Sequence, residues 1–498
     1  MKKLLALVLA LVMSMSLVTI SNAAFSDADK IDHTEAVEVM SALGVINGMP
    51  DGSFAPAGNV TRAEMAKMIT IIMLGDIDAD AFKGTVTDLT DINGHWAEGF
   101  IKYCYSQGVI AGRGDGTFAP NANVTAVEAA KMLLVALGYN ADVQGYVGSD
   151  WSINVIRDAQ ISKFFDDLSV TSTKVLTRDE AAQMIYNAVN AKTIEKSSSV
   201  DRLTGKVTDI YAAGKQDLLE KTFDVKKAEG KLDYDPDDYN SDKKEYTYDV
   251  GTESFKYKND YTGLYMQNVE VLYKVDGTKT TVYGIYAKDS SVIATGVIGD
   301  ITAPAAADTK VKIDGTSYKL TGEAKDVDIY AALAGDTSKD LDEVASYISS
   351  SKIENAYKFA LIDNTGDGKG DIVVVYPFTV AKVTYVGSKT FTAGSSFKFE
   401  DVDVYTGIAK NDYVKITAAA NTATKTALFE EVEEISAKAT AVKKTDNQIN
   451  FGGNWFDTTI TTAKSQTATA GSNCKYVAVN GYLFNLESDS SALGTADY

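Results

Sequence analysis

The stretch from Gly44 to Ile69, GVINGMPDGSFAPAGNVTRAEMAKMI, returns sixty-four positions later as Gly108 to Leu133, GVIAGRGDGTFAPNANVTAVEAAKML. Aligned without a gap, sixteen of twenty-six residues are identical, so the chain carries an internal repeat, and that decides how the rest is read. A looser third copy ends at Leu176 to Asn187, LTRDEAAQMIYN. Asp51-Gly52 and Asp115-Gly116 are turn dipeptides, and the Phe and Pro after each pin a loop to a core. Thr-x-x-Glu follows at Thr61–Glu64, Thr125–Glu128 and Thr177–Glu180, the signature of a capping box. Val60 and Met65 have the spacing of a hydrophobic staple. Apolar residues then recur at helical spacing: Met65, Ile69 and Ile72; Ala130, Leu133, Leu134 and Leu137; Ala181, Ile185 and Ala188. No one such helix buries its stripe alone, so the three must pack on one another.

Gly-Val-Ile-x-Gly, Asp-Gly-x-Phe-x-Pro and Val-Thr-Arg-Ala-Glu in tandem resemble the S-layer homology (SLH) domain of bacterial surface proteins, over roughly residues 25 to 193. The resemblance implies an all-α pseudo-trimer of three repeats, whose grooves bind a pyruvylated secondary cell-wall polymer attached to peptidoglycan. The expected domains are a signal peptide (1–23), repeats at 24–75, 86–140 and 145–193, a β-rich region of one or more domains at 200–378, and a C-terminal β-rich domain at 379–498. The fold class is thus α + β multidomain, helical first and β-rich afterwards.

Lys2 and Lys3 precede an apolar run from Leu4 to Val18, and Ser21-Asn22-Ala23 supplies small residues for cleavage after Ala23. The run is short for a permanent span, although an uncleaved anchor is the alternative, and no other stretch is apolar enough to cross a bilayer. The exported protein is then soluble or wall-bound, and the resemblance implies the cell wall or S-layer of a bacterium. The net charge of −20 disfavours nucleic acid or an anionic membrane as partner. It suits a solvated surface protein that recruits divalent cations, or simply keeps the chain soluble. Cys104 and Cys474 lie far apart, and Cys104, among Ile101, Tyr103 and Tyr105, reads as a small buried hydrophobe.

Each repeat also has a leading helix: Thr34 to Leu43, Asp91 to Gln107 stopped by Gly108, and Ser152 to Phe165 led by Trp151. A pyruvyl ketal carries a carboxylate. Arg62 and Arg178, at the first helical position beside open amides and the positive end of the helix dipole, suit that anion. Trp96 and Trp151 offer apolar faces to a sugar ring, and Gly52 and Gly116, beside Asp51 and Asp115, allow close approach. The competing reading makes both Trp core residues and the Thr-x-x-Glu only a helix start. Repeat 2 has Ala126 where the Arg stands, and repeat 3 lacks the Asp-Gly loop. Repeat 1 alone holds both, so unequal grooves led by Arg62 are expected.

Beyond Asn190, alternating Val, Thr, Tyr and Ile mark strands. They fall at Leu203–Tyr211, Glu245–Val250, Leu264–Lys274, Thr280–Ala287, Lys310–Leu320, Ile372–Val375, Val380–Val386, Tyr413–Thr417 and Tyr476–Leu483. Asp314-Gly315 and Asn480-Gly481 are hairpin turns, Lys196–Ser199 a linker, Lys339–Ser349 a helix and Asp233–Tyr248 an exposed loop. Echoes at Thr295–Leu320, Thr379–Glu400 and Ala437–Thr459 suggest small barrels or sandwiches. Asp363, Asp367 and Asp371 fall at positions 1, 5 and 9 of a calcium-type loop with Gly368 at 6, but Thr365 and Val374 break the pattern, and a plain hairpin turn is the alternative. Calcium is thus the one cofactor to test.

His33 and His95 are the only histidines, both in the repeat region, so the last three hundred residues have no His for a triad or zinc site. A carboxylate pair suffices for a glycosidase, but Trp455 is the only Trp there and no (β/α)₈ alternation exists, so catalysis is not expected. Two functions stand. One is a wall-anchored structural protein that self-associates in a surface layer; the other is an anchored display protein whose β region binds or hydrolyses a glycan or host ligand.

Overall fold

A computed structural model describes residues 25–200, 207–234, 245–259, 261–331, 339–346, 353–418, 427–460 and 468–488. The expected signal peptide lies outside the described residues, as does most of the expected loop at 233–248. The first part of the described chain is helical: α1 (Thr34–Ala42), α2 (Arg62–Leu74), α3 (Glu98–Ser106), α4 (Ala126–Ala136), α5 (Trp151–Ile161) and α6 (Arg178–Asn190). The capping boxes form as read. The Glu64, Glu128 and Glu180 carboxylates accept from the N-cap amides of Thr61, Thr125 and Thr177 at 2.8, 2.9 and 3.0 Å. Helices α1 and α3 end where Gly44 and Gly108 take φ of 72° and 71°, and Val45 N donates back to the Met40 carbonyl. Two expected helices shorten: α3 begins at Glu98, not Asp91, because Gly94 at φ 72° turns the chain and leaves His95 and Trp96 ahead of the helix, and α5 ends at Ile161, not Phe165, with Lys163 left-handed at φ 60° just beyond it.

Every stripe residue named for α2, α4 and α6 is buried, and Met65, Ile69, Leu133, Leu134 and Ile185 are completely so. The leading helices pack across copies: α3 lies on α2, α5 on α4, and α1 on α6. The segments before the capped helices also join one another, through bridges Thr61↔Asn123, Thr125↔Val175 and Asn59↔Thr177. The first two amides of each capped helix are taken up the same way. Arg62 and Ala63 donate to Ala122 and Pro120, Ala126 and Val127 to Lys174 and Ser172, and Arg178 and Asp179 to Gly58 and Pro56. A ring of contacts closes from the first segment to the second, the second to the third, and the third back to the first.

Strands β1 (Lys192–Val200) and β2 (Val207–Asp217) form an antiparallel ribbon, so Lys196–Ser199 is strand rather than linker. The ribbon starts tight against α4, with Ile194 N donating to the Leu137 carbonyl at 2.7 Å. Helix α7 (Leu218–Phe223) then packs on α2 and α6 through buried Leu218 and Leu219. The compact unit holding these helices runs to Ala228 and takes in Val271–Ile285.

The second unit is β-rich. Hairpin β3 (Tyr246–Val250) with β4 (Glu253–Tyr257) carries a tyrosine cluster. Strands β5 (Ser291–Val297), β6 (Asp328–Ala331), β7 (Lys339–Asp340), β8 (Lys358–Asp363) and β9 (Ile372–Tyr376) form a sheet in the order β7-β6-β9-β8-β5. Of the expected helix at 339–349, residues 339–346 are instead β7 and a 3₁₀ segment, Leu341–Ser346, because Leu341 and Val344 turn into that sheet's core, and 347–349 lie outside the described residues. A six-stranded sheet follows across 379–432 and a closed five-stranded barrel across 435–488. Both expected hairpin turns form, with Asp314 and Asn480 at φ 45° and 51° and a glycine after each. No helix among the described residues is long and apolar enough to cross a membrane.

Candidate polymer-binding cleft

Each Asp-Gly loop is built from its own residues. Asp51 and Asp115 accept from the amide and hydroxyl of Ser53 and Thr117, and those contacts, the hydroxyl first, hold both carboxyls below their ordinary pKa. Gly52 and Gly116 take φ of 83° and 80°. A second carboxylate fastens each loop from behind: Asp27 accepts from Phe54 and Ala55 amides, and Asp91 from Phe118 and Ala119 amides, at 2.7–2.9 Å. The Phe54 amide holds Asp27 below the usual carboxylate range. Asp27 and Asp91 were not singled out in the sequence, although they stand sixty-four residues apart, the repeat offset.

The loops receive the two arginines, but from a neighbouring copy. Arg62 Nε donates to the Phe118 carbonyl at 2.9 Å, Nη1 to Glu128 at 3.1 Å, and the guanidinium lies 4.6 Å over the Phe118 ring. Arg178 repeats this on the first loop, donating to the Phe54 and Asn47 carbonyls at 2.9 and 2.7 Å, 4.9 Å over Phe54. Glu128 thus caps α4 with one oxygen and receives Arg62 with the other. The third junction explains Ala126: the segment it faces has no Asp-Gly-x-Phe loop, and Lys174 pairs with Glu180 there instead. Arginine and loop are therefore matched across copies, not within them. Two expectations are corrected by this. Repeat 1 is not alone in joining loop and Arg, and the amides at the first helical positions are occupied rather than open.

Beside Arg62 the structure opens a cleft of about 210 Å³, lined by Arg62, Gly112, Arg113, Glu128, Lys131 and Trp151 among others. Lys131 Nζ stands 5.3 Å over the Trp151 ring, and burial pushes its pKa down. Among the described residues neither Arg113 nor Lys131 is ion-paired, and neither was singled out from the sequence. A signal was available: the first copy has Met49 where the second has Arg113. Of the two tryptophans expected to meet sugar, Trp151 is in this cleft, whereas Trp96 is 53% exposed and 5.5 Å from the His95 ring.

Asp363, Asp367 and Asp371 do not gather into a ligand set. Asp363 accepts from the amides of Thr365, Gly366 and Gly368, Asp367 pairs with Lys369, and Asp371 accepts from the Asn364 amide and Thr321 hydroxyl. Among the described residues no group of three or more acidic, His or Cys side chains is placed to hold a metal.

The S-layer homology domain model matches residues 24–66 and 88–130. The chain is 37% identical over 111 residues to Cell surface glycoprotein 1 of Acetivibrio thermocellus, covering 21% of this chain and 5% of that protein. It is 29% identical over 200 residues to Cell surface protein of Thermoanaerobacter kivui, covering 39% and 25%. It is 34% identical over 102 residues to Cellulosome-anchoring protein of Acetivibrio thermocellus, covering 20% and 22%. This is an SLH-domain protein of the cell surface. The chain spans a quarter or less of each of these relatives' own length. In the SLH region the two matched repeats are those whose loops receive Arg178 and Arg62.

Proposed function

We propose that 25–193 is a three-repeat SLH anchor with pseudo-threefold organisation, which holds the chain non-covalently on the cell wall by binding a pyruvylated secondary polymer. The β-rich remainder is then a non-catalytic, surface-layer type of region that self-associates outside the wall. The observation that carries this reading is the cleft between α2 and α4. Among the described residues its Arg113 and Lys131 form no ion pair, and Lys131 lies over an indole, a combination suited to an anionic sugar. The third segment counts as a repeat in this reading because it closes the ring of contacts, even though it lacks the Asp-Gly loop. The name of the Cellulosome-anchoring relative agrees with an anchoring role for the shared part.

The test is co-sedimentation of the full chain with purified sacculi. Binding is expected to sacculi that keep their secondary polymer and to be absent after the polymer is stripped. Equal binding to both preparations would transfer the anchor's ligand to peptidoglycan itself and overturn this reading.

A further inference from the structure

Resting on that reading, we infer that Lys131 and Arg113 are the residues that grip the ligand's anion in the α2–α4 cleft, that Trp151 acts by positioning Lys131, and that Arg62 shapes the cleft without ligating. Four observations lead there. Arg62 is 8% exposed and spends Nε on a backbone carbonyl and Nη1 on Glu128, with Phe118 under its plane. Its task is therefore to join α2 to the second loop. Lys131 is half-buried, lines the cleft and makes no ion pair among the described residues, the Asp142 charge acting on it from beyond ion-pair distance. An unpaired ammonium at such a place is costly unless something anionic meets it. The indole of Trp151 sits at cation–π distance from that ammonium and holds the flexible lysine stem in the cleft. A ring face that carries an ammonium is not open to stack on a sugar, so the sugar-platform role read from the sequence is not the one the geometry favours. Arg113, on the rim, adds a second cation.

The first-loop junction lacks this equipment. Lys67 stands where Lys131 stands in the repeat, but Met49 replaces Arg113. The same arginine clamp thus occurs at both loops, whereas the pair of cations is particular to one. That separates the clamp from the ligand-binding role: a residue used at both junctions serves the join, and the residue that differs serves selectivity. The ligand class is a sugar-borne anion, carboxylate or phosphate.

The experiment uses the full chain and sacculi that keep their polymer. Lys131→Met and Arg113→Met are each expected to weaken binding about tenfold, the loss of one charge-assisted contact, and to make what remains less sensitive to salt, with unchanged thermal melts. Trp151→Leu is expected to weaken binding in the parent but to add nothing in the Lys131→Met background. A further loss in that background would place the indole against the sugar and overturn its positioning role. Met49→Arg is expected to strengthen binding. Excess glucuronate or glucose 1-phosphate should compete, and which of the two competes better identifies the anion; neutral glucose competing equally well would remove charge from the recognition. If the parent binds only polymer-bearing sacculi while Lys131→Met and Arg113→Met both bind as the parent does, the anchor reading stands and this site assignment falls. If the parent itself fails to distinguish the sacculi, it is the anchor reading that fails.

Discussion

Ala55 and Ala119 occupy matching places in the two loops and both have left-handed backbones, with φ of 56° and 57°. Each is held there because its amide, with that of the preceding Phe, reaches a carboxylate behind the loop, Asp27 or Asp91. An L-residue in that region costs about 1–2 kcal/mol, and glycine relieves the strain at some entropic cost. Ala119→Gly is therefore expected to stabilise the helical unit by up to about 1 kcal/mol, seen as a Tm rise of about 2–4 °C by circular dichroism; a lower Tm would show that the loop is not strained. His33 offers a pH test. Its Nδ1 meets Asp179 at 2.5 Å and its Nε2 meets the Asp167 carbonyl at 2.9 Å, so both nitrogens face acceptors. The Asp179 hydrogen bond raises its pKa above 6.5, with Asp32 also nearby, while burial opposes. A raised folded pKa means the contribution is fully present below the unfolded value, about 6.5, and is lost as pH rises through the higher folded value. The parent's Tm should fall across that window and the fall should be absent in His33→Gln. At Asp363, whose carboxylate is already supplied by backbone amides, a chelator is expected to leave the melting of the β region unchanged; a drop would restore calcium to that loop.

At the scale of elements, the junctions between helices and loops do more than the helices alone. Arg62→Ala removes partners from the Phe118 carbonyl and from Glu128 at once. It is expected to cost about 1–3 kcal/mol of stability, unlike a change in a surface arginine, and differential scanning calorimetry would see it without any ligand. A melt equal to the parent's would show that the clamp is dispensable. The ribbon's attachment rests on Gly138, which has φ 105° and would place a Cβ 2.3 Å from the Ile194 carbonyl oxygen. Neither the angle nor the space admits a side chain, so Gly138→Ala must shift the start of β1 away from α4.

For the whole molecule, the helical unit is larger than its repeats. Leu218 and Leu219 of α7 are buried against α2 and α6, well past the end of the third segment. Burying each such side chain is worth about 1.5–3 kcal/mol. A fragment ending at 193 is thus expected to melt several degrees below one ending at 228, and equal melts would show that α7 adds nothing to the anchor's core.

Much of the anchor was legible because its signals are local. The capping boxes, the glycine stops after α1 and α3, the apolar stripes and the two hairpin turns each depend on residues a few positions apart, and all of them formed. Sequence by itself likewise determined the order of the chain, helical first and β-rich later, and through the repeat it determined the SLH relationship. Which copy meets which was decided only in three dimensions. Arg62 seemed to belong with the Asp51-Gly52 loop beside it in the chain, but it serves the loop before α4, and α1 packs on α6 from the far end of the repeats. The cleft pairs Arg113 and Lys131 with Trp151 from another segment, and no spacing in the chain announces that meeting. The physical reason is that capping and turn formation act over one turn of backbone, whereas a repeat that cannot bury its own stripe must find its partners in its neighbours, and the cleft is made where they meet.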